Sequence, residues 1–132
     1  MTDVLFICVG NAGRSVLAER IFNACANGRH HARSAGSEPA AAVHPVVVEA
    51  LRELGIEASD HVPRLLDADA VAAADVVVST CGEEACPVTP PGTRRLVWDL
   101  PDPKNRDLAE VRVLRDEIAA RVRSLLAELD AA

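Results

Sequence analysis

The strongest chemical signal in the chain is a cysteine six positions before an arginine, in the segment Cys8-Val-Gly-Asn-Ala-Gly-Arg-Ser15. Its two glycines let the backbone turn so that successive N–H groups point inward, and a helix that follows adds positive potential at its N-terminus. Arg14 supplies a planar fork that grips two oxygens of an anion. A thiol in this field favours its nucleophilic thiolate form. The segment therefore predicts a cradle that holds a tetrahedral oxyanion against Cys8.

The remaining positions of this loop have predicted roles in building the cradle. Ser15 is expected to donate a hydrogen bond to the sulfur of Cys8, to cap the N-terminus of the next helix, or to do both. Asn11 tolerates a left-handed backbone conformation, so its role is to shape the loop. The backbone N–H groups expected to face the anion belong to Val9, Gly10, Asn11, Ala12, Gly13 and Arg14.

Asp102 is the candidate acid. It lies between two prolines, in a segment with few accessible conformations. A carboxyl group held beside the thiolate would protonate a leaving oxygen. A Pro-Asp-Pro sequence is also typical of an ordinary turn, so the role of Asp102 depends on whether the fold brings it to Cys8.

Two further cysteines, Cys81 and Cys86, lie in a polar loop over residues 80–93 that is rich in Gly, Pro and Thr. Two cysteines at this spacing close a small disulfide loop, form half of a zinc site, or are unrelated. The other candidate ligands, Cys25, His44 and His61, show no ligand spacing, so no metal site is predicted. A polar loop is a poor place for buried structural cysteines, which favours redox chemistry and an attack of Cys81 on a Cys8 adduct.

The apolar pattern predicts the elements that position these residues. Continuous apolar runs predict buried strands over residues 3–8 and 76–79, and further short strands are predicted over 32–36 and 94–97. Helices are predicted over 16–27, 45–54, 67–74 and 107–129, the third of them capped by Asp67. We expect Cys25 to pack in the core beside Phe22. Strands that alternate with helices indicate a three-layer α/β/α fold around a four-stranded parallel sheet. The carboxyl ends of parallel strands share one edge, so the loops after Cys8, Ser79 and Val97 are expected to meet there.

Composition limits the classes of function. The chain has 132 residues, which suits a single domain over residues 1–132, and its net charge is −6. No basic stripe is present, so nucleic acid is not an expected partner, and any anionic substrate must be attracted locally. No apolar stretch approaches the length of a membrane span, and the N-terminal apolar run lacks the basic flank of a signal peptide. A cytoplasmic location is the expectation.

The loop Cys8-Val-Gly-Asn-Ala-Gly-Arg-Ser15 resembles the anion loop of the low-molecular-weight protein tyrosine phosphatase superfamily, and more narrowly that of its arsenate reductases. The likeness extends through Ser34-Ala35-Gly36, Asp60-His61, Asp67, the Cys81…Cys86-Pro87 loop, Trp98…Asp102-Pro103 and Arg115-Asp116-Glu117-Ile118. Phosphatases of this group usually carry tyrosines near the acid loop. This chain has no tyrosine and has the cysteine pair instead, which favours the reductase.

The resemblance implies a mechanism without a metal or organic cofactor. Cys8 attacks arsenate and Asp102 assists the loss of an oxygen as water. Cys81 then frees arsenite by forming a disulfide with Cys8, and Cys86 moves that disulfide to Cys81–Cys86, where thioredoxin reduces it. In a second branch of the family, mycothiol attacks the arsenic adduct and mycoredoxin completes the cycle. The alternatives are a phosphatase that hydrolyses phosphomonoesters and a non-catalytic oxyanion or thiol sensor.

Some relatives bind potassium beside the loop. Asn11, Glu19 and Ser34 match three of those ligands, whereas Arg64 stands where an acid is expected. The resemblance therefore predicts no potassium site, with the charge of Arg64 in place of the cation.

Overall fold

The computed structural model of the chain describes residues 1–82 and 89–131. A four-stranded sheet has the spatial order β2-β1-β3-β4, and every pair of neighbouring strands is parallel. The elements in chain order are β1 (Asp3–Cys8), α1 (Arg14–Ala26), β2 (His31–Gly36), α2 (Pro45–Arg52), α3 (Ala68–Ala73), β3 (Val76–Ser79), β4 (Arg94–Val97) and α4 (Leu108–Ala131). These elements agree with the predicted ones to within a few residues at each boundary.

Alternate residues of β1 enter two separate hydrophobic clusters on the two faces of the sheet. Phe6 belongs to the larger cluster, which includes buried residues of α1, α2 and α4, and its ring packs 5.9 Å from that of Phe22 and 5.5 Å from that of Trp98. Leu5 and Ile7 belong to the smaller cluster, on the side of α3. Helices therefore cover both faces, which explains the continuous apolar run and confirms the predicted α/β/α class.

The strand that follows β1 in the chain lies on one side of it, and the later strands lie on the other side. From β1 the chain passes to β2 on one side, while β3 pairs with β1 on the other. Crevices in open parallel sheets form at such a point. Thr80, directly after β3, fixes this edge because its N–H and its hydroxyl both donate to the carbonyl of Ile7 at 2.8 Å. The loops after Cys8 and Ser79 therefore start side by side.

Two local predictions for α1 are wrong. The helix begins at Arg14 after an uncapped Gly13, so Ser15 lies inside its first turn and does not cap it. Cys25 is exposed, because the buried face of the C-terminal half of α1 runs through Phe22 and Ala26 and leaves Cys25 to the side. Within the part of the chain that the structure describes, no helix is long and apolar enough to cross a membrane.

Candidate active site

Cys8 lies at the end of β1 with only 4% of its surface exposed, and its sulfur has two hydrogen-bond partners. The hydroxyl oxygen of Ser15 is 2.8 Å from the Cys8 sulfur, and the backbone N–H of Asn11 donates to the same sulfur at 3.2 Å. A thiolate only accepts hydrogen bonds, so in that form of Cys8 both groups donate to it. The first turn of α1 and the loop before it therefore each place a hydrogen-bond partner at the Cys8 sulfur.

Asn11 holds the loop in shape through both ends of its amide. Its backbone is left-handed with φ of 50°, as the sequence predicts. Its Nδ2 donates to the Ser15 hydroxyl at 2.9 Å, and its Oδ1 accepts from the backbone N–H of Arg64 at 2.9 Å. A side chain that was predicted only to shape the loop thus also fixes the orientation of the hydroxyl at the sulfur.

His61 supports Asn11 from the far side of the loop. Its Nε2 lies 3.1 Å from the Asn11 carbonyl oxygen and 3.2 Å from Asn11 Oδ1, and because both are acceptors, Nε2 carries the proton. Burial lowers the pKa of His61 below its usual value, against the opposing effect of the negative charge of Glu19. The buried imidazole therefore favours its neutral form.

Glu19 is buried beneath the loop and already has protein partners for both carboxylate oxygens. The Ser34 hydroxyl donates to its Oε1 at 3.0 Å, and Arg20 Nε donates to its Oε2 at 3.1 Å. The side chain of Arg64 is exposed instead. The prediction that Arg64 replaces a cation is therefore wrong, since Arg20 supplies the charge. Both carboxylate oxygens of Glu19 thus have protein partners, and Arg20 is the cation beside them.

A cavity of about 250 Å³ opens above Cys8. The loop forms its floor, and its walls are lined by Glu38, Ala40, His44, Asp102 and Lys104. Arg14 crosses one side, where its guanidinium donates to the Leu100 carbonyl at 3.1 Å and lies 3.8 Å from Asp102 Oδ2. The fold thus brings Cys8, the Arg14 guanidinium and the candidate acid Asp102 to one cavity, although Asp102 is far from Cys8 in sequence.

Cys81 directly follows the residue that joins the ends of β3 and β1. It forms an antiparallel bridge with Asp99, its sulfur lies 3.9 Å from the Ser79 hydroxyl, and it is half-buried. The described lining of the cavity does not include Cys81. The prediction that Cys86 takes part in the relay falls outside the described residues.

Two site residues were not predicted as such. A Cβ on Gly36 would lie 2.4 Å from the Val9 carbonyl oxygen and 2.8 Å from the Asn11 nitrogen, so the glycine lets the loop approach β2. Lys104 lines the cavity. Its signal was available in the sequence, because it is the only lysine among the fourteen basic residues of the chain and it directly follows Asp102-Pro103.

Comparisons with known proteins agree with this geometry. The family model described as low molecular weight phosphotyrosine protein phosphatase matches residues 3–132. The chain is 34% identical to arsenate reductase 1 of Bacillus cereus over 122 residues, which cover 91% of this chain and 90% of that one. It is 35% identical to the arsenate reductase of Brevibacillus brevis, with the same coverage.

Solved structures show the same relationship. A thioredoxin-dependent arsenate reductase of Corynebacterium glutamicum superposes with a TM-score of 0.85 at 38% identity, covering 99% of this chain and 63% of that one. This chain therefore spans less than two thirds of that relative's length. A low molecular weight protein tyrosine phosphatase of T. tengcongensis also gives a TM-score of 0.85, at 26% identity, with 97% of this chain and 99% of that chain covered. The loop after β1 lines the cavity above Cys8, and the chain belongs to the low molecular weight phosphotyrosine protein phosphatase family, among its arsenate reductases.

Proposed function

We propose that this protein reduces arsenate to arsenite with Cys8 as nucleophile. The observation that carries the proposal is the position of Cys8, which lines the cavity together with Arg14 and Asp102 and has Ser15 and Asn11 as hydrogen-bond partners of its sulfur. Curated relatives at 34% and 35% identity are arsenate reductases. A glycine-bearing loop at the start of a helix, with the Arg14 guanidinium beside it, suits a tetrahedral oxyanion.

The first step joins sulfur to arsenic. The Cys8 thiolate attacks the arsenic of arsenate, an As–S bond forms, and one oxygen leaves as water after Asp102 donates a proton. Arg14 stays beside the equatorial oxygens and stabilises their charge. No metal or organic cofactor takes part in this step.

The second step transfers two electrons to arsenic. The thiolate of Cys81 attacks the Cys8 sulfur, an S–S bond forms, and the electron pair of the As–S bond goes to arsenic, which leaves as arsenite. Cys86 then attacks Cys81, which restores the Cys8 thiolate and leaves a Cys81–Cys86 disulfide. The role of Cys81 as the attacking thiol is supported by its position directly after Thr80. The Thr80 hydroxyl donates a hydrogen bond to the Ile7 carbonyl, in the strand that ends at Cys8.

An external dithiol must reduce the final disulfide. We propose thioredoxin, because a relative at 38% identity is described as thioredoxin-dependent. Mycothiol with mycoredoxin is the alternative donor, and it would act on the arsenic adduct without the second pair of cysteines. Either donor places the protein in the cytoplasm, where thiols are kept reduced.

Single serine variants of the cysteines test this proposal in a steady-state assay of arsenite formation. Cys8→Ser is expected to abolish turnover with every donor, whereas Cys25→Ser, at an exposed position on α1, serves as the matched control and keeps full activity. Loss of thioredoxin-coupled turnover in both Cys81→Ser and Cys86→Ser indicates the internal relay. Retention in both with mycothiol indicates the external route, and turnover by Cys8→Ser would refute the proposal.

Hydrolysis of phosphomonoesters is the second candidate, supported by the phosphatase of T. tengcongensis at a TM-score of 0.85. The same cradle accepts phosphate, and Asp102 would protonate the leaving alcohol. Efficient hydrolysis of an aryl phosphate by a Cys81→Ser, Cys86→Ser double variant, with no arsenate turnover in the parent chain, would favour this function.

A further inference from the structure

Lys104 is an exposed residue that lines the cavity above Cys8. No hydrogen bond or ion pair of its side chain is present among residues 1–82 and 89–131, whereas its backbone N–H donates to Asp102 Oδ1 at 3.0 Å. Arg106 Nε further fixes this turn by donating to the Asp102 carbonyl at 2.9 Å. The backbone of Lys104 is therefore fixed at the rim of the cavity, while its side chain of four methylene groups can move to follow a ligand.

The charges around the cavity show why this ammonium matters. Arg14, the other strong cation of the lining, lies 3.8 Å from the Asp102 carboxylate. Glu38 adds an unpaired carboxylate on another wall, as far as the described residues show, and the attacking form of Cys8 is itself an anion. The whole chain carries a net charge of −6. These negative charges repel an incoming dianion at the opening of the cavity, and the positive charge of Lys104 counters that repulsion when it faces the dianion.

We propose that Lys104 is the capture residue of this site, which binds the incoming oxyanion dianion at the rim and sets the preference for small inorganic oxyanions. The inference rests on the proposed function for its natural substrate. The residue after Asp102-Pro103 also supports the inference. It carries an amine, and the chain has no tyrosine that could give the cavity an aromatic wall. An ammonium group attracts a free dianion through charge, whereas an aromatic side chain would pack against an aryl ester.

Binding of inorganic phosphate to the reduced protein tests the inference without redox chemistry. We expect Lys104→Gln to weaken phosphate binding about fivefold at low salt and much less at high salt, because the removed interaction is a screened charge contact. Lys104→Arg should retain affinity within about twofold. Arg95→Gln is the matched control, since it removes the same charge from an exposed residue of β4, outside the cavity lining, and should leave affinity nearly unchanged.

The single lysine also permits a chemical test. Acylation with succinic anhydride turns an ammonium into a carboxylate, whereas reductive methylation keeps the charge. The amines that both reagents modify are Lys104 and the α-amino group, hydroxylamine removes the thioesters that succinic anhydride forms on cysteines, and the Lys104→Arg variant reports the α-amino contribution alone. Succinylation of the parent chain should weaken phosphate binding more than Lys104→Gln does, and methylation should leave it unchanged.

Steady-state kinetics give the matching readout. In Lys104→Gln the KM for arsenate should rise by the same factor as the phosphate dissociation constant, with kcat within about twofold. Equal weakening in Lys104→Gln and Arg95→Gln, or no weakening in Lys104→Gln, would overturn the inference. A phosphate effect at Lys104 in a protein that does not reduce arsenate would instead refute the proposed function and leave the capture role intact.

Discussion

The hydroxyl oxygen of Ser15 lies 2.8 Å from the sulfur of Cys8, and both residues are buried. The same hydroxyl accepts a hydrogen bond from Asn11 Nδ2 at 2.9 Å, so its own proton is left for the sulfur. A charge-assisted hydrogen bond of this kind is worth about 1.5–3 kcal/mol to the anionic partner. Ser15 is thus placed to donate a hydrogen bond to the sulfur of Cys8, the proposed nucleophile.

Replacement of Ser15 by alanine should therefore slow the chemistry of Cys8 before it affects folding. We expect the rate of Cys8 alkylation by iodoacetamide at neutral pH to fall about tenfold, since the attacking sulfur loses the hydroxyl group that faces it at 2.8 Å. Mass spectrometry of the peptide that contains Cys8 separates it from the other thiols. Ser124→Ala, on the exposed face of α4, is the control. An unchanged alkylation rate in Ser15→Ala would show that the hydroxyl only shapes the loop.

Gly36 pairs with Cys8 in the register of β1 and β2, and it sets how closely the loop after Cys8 can approach β2. A methyl group there would lie 2.4 Å from the Val9 carbonyl oxygen, so Gly36→Ala must displace the loop backbone. A displacement of about 1 Å at a reacting centre costs on the order of 100-fold in rate, which is the expected loss of arsenate turnover.

Gly10→Ala is the matched control for that substitution. The nearest atom to a Cβ at Gly10 is the Ala40 Cβ at 3.8 Å, an ordinary contact, so this variant should keep most of its phosphate affinity and activity. Comparable losses in the two variants would contradict a steric role that is specific to Gly36.

The buried imidazole of His61 makes part of the stability depend on pH. Because burial lowers its pKa in the folded chain, the unfolded chain takes up a proton first as the pH falls below about 6.5. The contribution is complete above that pH and is lost progressively towards the lower pKa of the folded state. Urea unfolding at pH 7.5 and 5.5 measures this loss.

His61→Gln is the informative variant, because a glutamine amide can still donate to Asn11 and does not titrate. We expect the parent chain to lose more free energy of unfolding between the two pH values than His61→Gln does. An identical loss in both proteins would show that His61 is not the titrating group responsible.

Arg115 ties α4 to the C-terminal end of α2. Its guanidinium donates to the Ala50 carbonyl at 2.9 Å and to Glu53 Oε1 at 2.8 Å, and only 8% of the residue is exposed. Arg115→Met keeps the aliphatic stem and leaves the Ala50 carbonyl unpaired, so it should lower the free energy of unfolding by about 2 kcal/mol.

Arg121→Met provides the comparison on the same helix. Arg121 forms an i,i+4 pair with Glu117 at 3.3 Å, and such exposed pairs contribute about 0.3–0.5 kcal/mol. Urea denaturation of both variants at neutral pH measures the difference, and equal costs would mean that burial adds nothing to the Arg115 contacts.

Much of the site could be predicted because its parts are neighbours along the chain. Cys8, Asn11 and Ser15 belong to one strand, loop and helix turn, so their mutual distances depend on local backbone geometry. The Asp67 cap of α3, whose side chain accepts from the Ala70 N–H at 2.8 Å, was predictable for the same reason. The long helix α4 follows from the periodic apolar positions of its sequence.

The tertiary structure alone decided which distant groups complete the site. His61 reaches Asn11 across fifty positions of sequence, and Asp102 and Lys104 reach the cavity from beyond β4. Two predictions from the sequence were wrong, namely that Arg64 supplies the positive charge beside Glu19 and that Cys25 is buried. Both depend on how α1 packs against its neighbours. By itself the sequence determined the loop from Cys8 to Ser15 and its place between a strand and a helix, since hydrogen bonds within a turn follow from local residue order. Packing of separate elements decided the walls, the buried charges and the approach to the anion, because these are contacts between segments whose separation in sequence says nothing of their distance in space.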